Sequence, residues 1–94
     1  MDYGVGLVSW KVLYSPAAEK DQRKLKGGAL AENAKKLLEI LAEDPFKTPP
    51  PCEKLVGKLK GKFSRRINDQ HRVIYDVDPV AKEVRVLRMW THYE

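Results

Sequence analysis

The spacing of apolar residues changes along the chain. Residues 8–14, centred on Trp10-Lys11-Val12-Leu13-Tyr14, are rich in β-branched and aromatic side chains and predict a first strand. Ser15 and Pro16 follow as an N-cap and a first-turn proline, which predicts a helix running to about residue 26 and halted at Gly27-Gly28. Its apolar face is thin, consisting of Ala17, Ala18 and Leu25. The next element is the clearest. Leu30, Ala34, Leu37, Leu38 and Leu41 recur at the helical period, and Glu32, Lys35, Lys36 and Glu39 occupy the opposite side. This stripe is core packing, and Asp44-Pro45 ends it.

Residues 46–51 form a stiff connector with three consecutive prolines at 49–51, which favour extended geometry and donate no hydrogen bonds. Such a segment can hold the charged residue after it at a fixed height. Beyond it the period becomes two. Residues 62–68 and 72–77 read as strands joined by a turn at Asn68-Asp69-Gln70. Asp78-Pro79 opens another turn to residue 82, and 83–91 reads as a last strand. The pattern predicts one α+β domain over residues 1–94, with residues 1–9 an unassigned extension. A small antiparallel-rich sheet carries two helices packed on one face. The other face stays open, and Arg65, Arg72 or Arg88 could reach across it.

Composition narrows the function. Ninety-four residues hold one core. No apolar run approaches the ~20 residues that span a bilayer, and Met1-Asp2-Tyr3 does not open a signal peptide. The single cysteine, Cys52, rules out an internal disulfide and a cysteine-based metal site. A soluble cytoplasmic protein without membrane contact is expected. The net charge is +5, and its position matters more than its size. Residues 54–72 hold seven basic side chains (Lys54, Lys58, Lys60, Lys62, Arg65, Arg66, Arg72) and one acid, Asp69. That stretch carries +6, which leaves −1 for the rest of the chain. Basicity gathered in one stretch suits a polyanion such as nucleic acid. The plainer reading is a solvated surface.

The chemistry open to such a chain is limited. No His, Asp and Glu grouping has metal-ligand spacing, so neither metal nor cofactor is expected. Residues 57–61 lack the pattern of a phosphate-binding loop. The remaining route is metal-free RNA cleavage, in which a ribose 2′-hydroxyl attacks its neighbouring phosphate. That route needs a base, a cation for the charge on phosphorus and an acid for the leaving 5′ oxygen. Glu53, Arg72 and His92 would make a sufficient set; the other histidine is His71.

These residues also carry a resemblance. Glu53-x-Leu55, Leu59-x-Gly61-x-Phe63-Ser64-Arg65-Arg66-Ile67, His71-Arg72-Val73-Ile74-Tyr75 and the terminal His92-Tyr93 resemble the YoeB/Txe branch of the RelE-type toxins. The N-terminal half agrees only in the order of its elements. The resemblance implies a ribosome-dependent endoribonuclease that cuts mRNA in the ribosomal A site and is restrained by a cognate acidic antitoxin protein. It implies Glu53 as general base, Arg72 as the cation on the scissile phosphate and His92 as general acid. Tyr93 would orient the substrate or stack on a base. Arg65, Arg66, Lys58, Lys60 and Lys62 would bind RNA, although consecutive strand residues point to opposite faces, so one of the two arginines faces away. Two departures stand out: Glu94 extends past the usual final tyrosine, and Val56 stands where some members carry a lysine.

Each of these residues has a duller role available. Glu53 could be an exposed loop acid, His71 a structural residue, His92 an ordinary tail residue, Cys52 a bystander, and Trp10 and Trp90 core or interface groups. Two rival functions belong to other classes. One is a non-catalytic module gripping RNA or the ribosome through the basic sheet. The other is a toxin of the same fold that inhibits DNA gyrase by protein contact. Neither needs the Glu, Arg and His set.

Overall fold

The computed structural model describes residues 10–25, 28–48, 51–68 and 70–89. Among these residues the chain forms β1 (Lys11–Tyr14), α1 (Pro16–Lys24), α2 (Gly28–Glu43), β2 (Glu53–Lys54), β3 (Phe63–Arg66), β4 (Arg72–Asp78) and β5 (Glu83–Arg88). A single 3-10 turn, Gly57–Leu59, lies between β2 and β3. The N-terminal extension and the first two residues of the expected first strand lie outside the described residues. The sheet runs β1-β5-β4-β3-β2. β1 lies parallel to β5, and the other neighbours are antiparallel. This is the expected α+β arrangement.

Local chemistry accounts for the elements. Ser15 caps α1 by accepting from the Ala18 N–H at 3.0 Å, and its hydroxyl donates to the Leu87 carbonyl at 2.9 Å. One side chain therefore starts the helix and ties it to β5. α1 ends at Lys24, earlier than expected, because Leu25 is buried and turns the chain. Gly28 is not a stop signal but the first residue of α2, with φ +75, a left-handed value that suits glycine. The leucine stripe packs as the period predicts. Ala34, Leu37 and Leu41 are buried, with Leu30 and Leu38 packed alongside. They meet Val73, Tyr75, Val84 and Val86 of the sheet in one core. Burying a leucine of this kind stabilises the fold by about 1.5–3 kcal/mol.

Two Asx-type turns fix the meander. Asn68 Oδ1 accepts from the Gln70 and His71 N–H groups, each at 2.8 Å. Asp78 Oδ1 accepts from Val80 and Ala81, each at 3.1 Å. The register pairs Phe63 with Tyr75, Ser64 with Ile74, Arg65 with Val73 and Arg66 with Arg72. Side chains alternate between faces, so Arg66 and Arg72 share one face while Arg65 shares the other with Val73.

Two expectations need correction. The stretch between the connector and the strand expected from residue 62 is not all loop, because Glu53 and Lys54 add a short edge strand against Ser64 and Phe63. Arg88 does not reach across the open face. Its guanidinium holds the buried Asp21 of α1 through Nε at 2.7 Å and Nη2 at 3.1 Å. The same carboxylate accepts from the Met89 N–H at 3.1 Å, so Asp21 locks α1 onto the end of β5. That carboxylate is the first cause of the raised Arg88 pKa.

Candidate active site

β2 is only two residues long, yet it sets the position of the site. Glu53 lies opposite Ser64 of β3, and Ser64 lies opposite Ile74 of β4. Arg72, two residues before Ile74, reaches back along this face. Its guanidinium donates to Glu53 Oε1 at 2.6 Å and lies 3.4 Å from Ser64 Oγ. The two halves of the ion pair differ in exposure. The Arg72 side chain is 22% exposed and that of Glu53 57%. Arg72 is thus seated in the sheet while the carboxylate faces solvent.

Arg66 pairs with Arg72 across the strands and is exposed. Pro51, Glu53, Ser64 and Arg66 line an open depression of about 230 Å³. Two cations share one sheet face with one carboxylate, and an anion entering the depression would meet Arg66 in its lining, with Arg72 held on Glu53. Ser64, fully buried beneath Arg72, was not singled out from the sequence. The signal was available in its i, i+2 spacing to Arg66, which puts the two on one face.

Arg65 departs from expectation. It is 1% exposed. Its Nε donates to the Tyr75 hydroxyl at 2.9 Å and its Nη2 to the Pro45 carbonyl at 2.8 Å. It is a buried structural arginine, so the expectation that it binds RNA is withdrawn. Strand alternation is the physical reason, since Ser64 and Arg66 take the open face and Arg65 the core.

The lysines sit beside the site, not within it. Lys58 is exposed in the 3-10 turn, and Lys60 is exposed just after it. Lys54, Lys60 and Lys62 border a wider depression of about 590 Å³ whose apolar lining includes Leu55, Val56 and Phe63. Val56 is 85% exposed. His71 stands in the β3–β4 turn, its Nδ1 3.1 Å from Asn68 Oδ1. His92 and Tyr93 lie outside the described residues. β5 nevertheless points toward the site, because Arg88 pairs with Ile74, two residues from Arg72.

Cys52 precedes Glu53, and its Sγ lies 3.2 Å from the Tyr75 hydroxyl. Burial raises the Tyr75 hydroxyl pKa well above the ordinary tyrosine value; the Cys52 contact adds to this and the Arg65 cation opposes it. Tyr75 therefore stays protonated and serves as a donor, 3.3 Å from the Pro45 carbonyl.

Comparison with known proteins follows the same outline. The sequence profile for the YoeB-like toxin of bacterial type II toxin-antitoxin systems matches residues 17–93. The toxin YoeB of Streptomyces coelicolor is 34% identical over 76 residues, covering 81% of each chain. Among solved structures, a YoeB/ParE toxin from Agrobacterium tumefaciens superposes with a TM-score of 0.78 at 25% identity, covering 88% of this chain and 99% of that one. A YoeB-YefM complex from Staphylococcus aureus gives a TM-score of 0.76 at 26% identity, covering 89% and 98%.

Proposed function

The chain belongs to the family of YoeB-like toxins of bacterial type II toxin-antitoxin systems, and from that premise we propose that it is a ribosome-dependent endoribonuclease that cleaves mRNA without a metal. The observation that carries this reading is the Glu53–Arg72 pair, 2.6 Å apart at the mouth of a depression bordered by Arg66. In RNA the attacking 2′-hydroxyl and the scissile phosphate are neighbours on one ribose. A carboxylate and a guanidinium side by side match that arrangement.

Each residue then has a task. A phosphate drawn to Arg72 and Arg66 displaces the Glu53 carboxylate from its partner. The carboxylate, still alongside, takes the proton from the 2′-hydroxyl as that oxygen attacks phosphorus. Arg72 stabilises the extra negative charge on the phosphoryl oxygens. His92 protonates the departing 5′ oxygen, and Tyr93 orients the nucleotide. Support for the tail is the direction of β5, which leaves the described residues on the Arg72 side of the sheet. The products are a 2′,3′-cyclic phosphate and a 5′-hydroxyl end. Lys58, Lys60 and Lys62 contact the ribosome around the A site, where they add salt-dependent affinity.

The partner is a cognate acidic antitoxin, working in the cytoplasm. Support comes from the +6 stretch at 54–72 and from the similarity to a toxin solved as a YoeB-YefM complex. Rim charges of this kind steer association, so antitoxin binding weakens as salt rises. Affinity that is the same at low and high salt would contradict this.

The test is to incubate the purified toxin with translating ribosomes and map the new mRNA ends. Ends bearing a 5′-hydroxyl, produced without divalent-metal dependence beyond that of the ribosome itself, are expected. Arrested translation with intact mRNA would overturn the nuclease reading and favour a pure binding module.

A further inference from the structure

The chemistry above depends on where Glu53 sits, and β2 is a short edge strand. It pairs Glu53 with Ser64 and Lys54 with Phe63, and just past it the Leu55 N–H donates to the Lys62 carbonyl at 2.9 Å. The segment 45–52, which is the connector with one residue on each side of it, has a second attachment on the opposite side of the sheet. At its start, the Pro45 carbonyl is buried and accepts from Arg65 Nη2 at 2.8 Å. The Tyr75 hydroxyl lies 3.3 Å from the same oxygen. At the segment's end, Cys52 Sγ lies 3.2 Å from that hydroxyl. Arg65 Nε donates to it at 2.9 Å. One phenol oxygen therefore joins both ends of the segment to the inner face of the β3–β4 hairpin. The Tyr75 ring is itself held, stacked on Phe63 at 5.6 Å.

We propose that Tyr75, Arg65 and Cys52 are positioning residues for Glu53. The idea rests on the endoribonuclease reading of Glu53 and adds the means by which that carboxylate is set against Arg72. Cys52 is bonded through one peptide to Glu53, so anchoring the sulfur anchors the backbone from which the Glu53 side chain reaches Arg72. Arg65 is always charged and presents a rigid fork of donors. It orients the Tyr75 hydroxyl from below, while the carbonyl and the sulfur occupy its other sides. The clasp lies on the face of the hairpin away from the depression, so it acts on the reaction only through Glu53. A displacement of about 1 Å in a reacting group can cost about a hundredfold in rate.

Tyr75→Phe tests this, since it keeps the stacked ring and removes only the hydroxyl. On translating ribosomes it is expected to lower kcat by about tenfold to a hundredfold and leave KM unchanged, because the basic surface is untouched. In a Glu53→Gln background the same substitution is expected to add nothing, the coupling expected of residues that act as one unit. Cys52→Val is expected to lose part of the rate that Cys52→Ser, which keeps a hydrogen-bonding group, retains. Amide hydrogen exchange at Glu53 and Lys54 is expected to be faster in Tyr75→Phe, a readout that does not depend on cleavage. Full-rate cleavage with unchanged exchange would overturn the proposal, as would an equal loss in the wild-type and Glu53→Gln backgrounds. A wild-type protein that cuts nothing would refute the nuclease reading instead, and amide exchange would still decide whether the clasp holds Glu53. Should Tyr75→Phe not fold, the Cys52→Val and Cys52→Ser pair carries the same test.

Discussion

The β3–β4 hairpin has two faces, and the neighbours Arg65 and Arg66 divide between them. On the helix side Arg65 is 1% exposed and wedged between the Tyr75 hydroxyl and the Pro45 carbonyl. On the open side Arg66 faces solvent beside the Glu53–Arg72 pair. The inner arginine satisfies buried acceptors, and stripping a buried polar group of its partner costs about 1–3 kcal/mol. The outer pair has its carboxylate in solvent, and pairs open to water on one side contribute about 0–1 kcal/mol to stability. Arg65 is tied into buried structure, whereas Arg66 and Glu53 are not. That difference is what the proposed reaction requires: in it, a phosphate displaces Glu53 from Arg72 while the buried contacts of the inner face stay in place.

Removing an outer-face group should produce the largest effect, and only on cleavage. Glu53→Ala is expected to slow RNA cutting by about 10²–10⁴-fold and Arg72→Ala by about 10²–10³-fold. Their urea midpoints should stay close to wild type. His92→Ala should cut as poorly, and a chain lacking 91–94 should fold, bind its antitoxin and fail to cleave. Single-turnover assays paired with circular dichroism check this, and wild-type rates in these variants would break the comparison.

The inner face should respond the other way. Arg65→Met removes the guanidinium donor to the Tyr75 hydroxyl and leaves the Pro45 carbonyl the longer 3.3 Å contact from that hydroxyl. It is expected to lose about 3 kcal/mol of stability in urea unfolding, while Arg66→Met stays within about 0.5 kcal/mol of wild type. Equal losses at the two positions would mean that the two faces are not distinct. A smaller effect is expected at the lysines. Lys60→Ala and Lys62→Ala should weaken ribosome binding and flatten its salt dependence, with the rate on bound ribosomes unchanged. The smallest belongs to Val80, 95% exposed in the β4–β5 turn. Val80→Ser should change neither the unfolding midpoint nor cleavage.

Features decided by neighbours a few residues apart were readable from the sequence. The Ser15-Pro16 start of α1, the leucine stripe of α2 and the period-two meander all lie within the reach of local rules, and the structure places them there. Strand alternation also foretold that only one of Arg65 and Arg66 would face outward. What it could not say was which one, because that depends on register against Tyr75 and on a carbonyl twenty residues earlier. The same holds for Asp21, whose hold on Arg88 spans 67 residues. β2 escaped because two residues are too few to show a period. Glu53 and Arg72 were singled out by chemistry and by resemblance, and the fold brings them together across 19 residues.

The central claim is that the open-face pair cuts RNA. Its most direct test is the rate at which 5′-hydroxyl mRNA ends appear on translating ribosomes saturated with either wild-type toxin or Arg72→Ala. With both proteins shown to be folded and bound, the expected result is rapid appearance of ends with wild type and a rate about 10²–10³-fold lower with Arg72→Ala. Ends appearing at the same rate with both proteins would contradict the account.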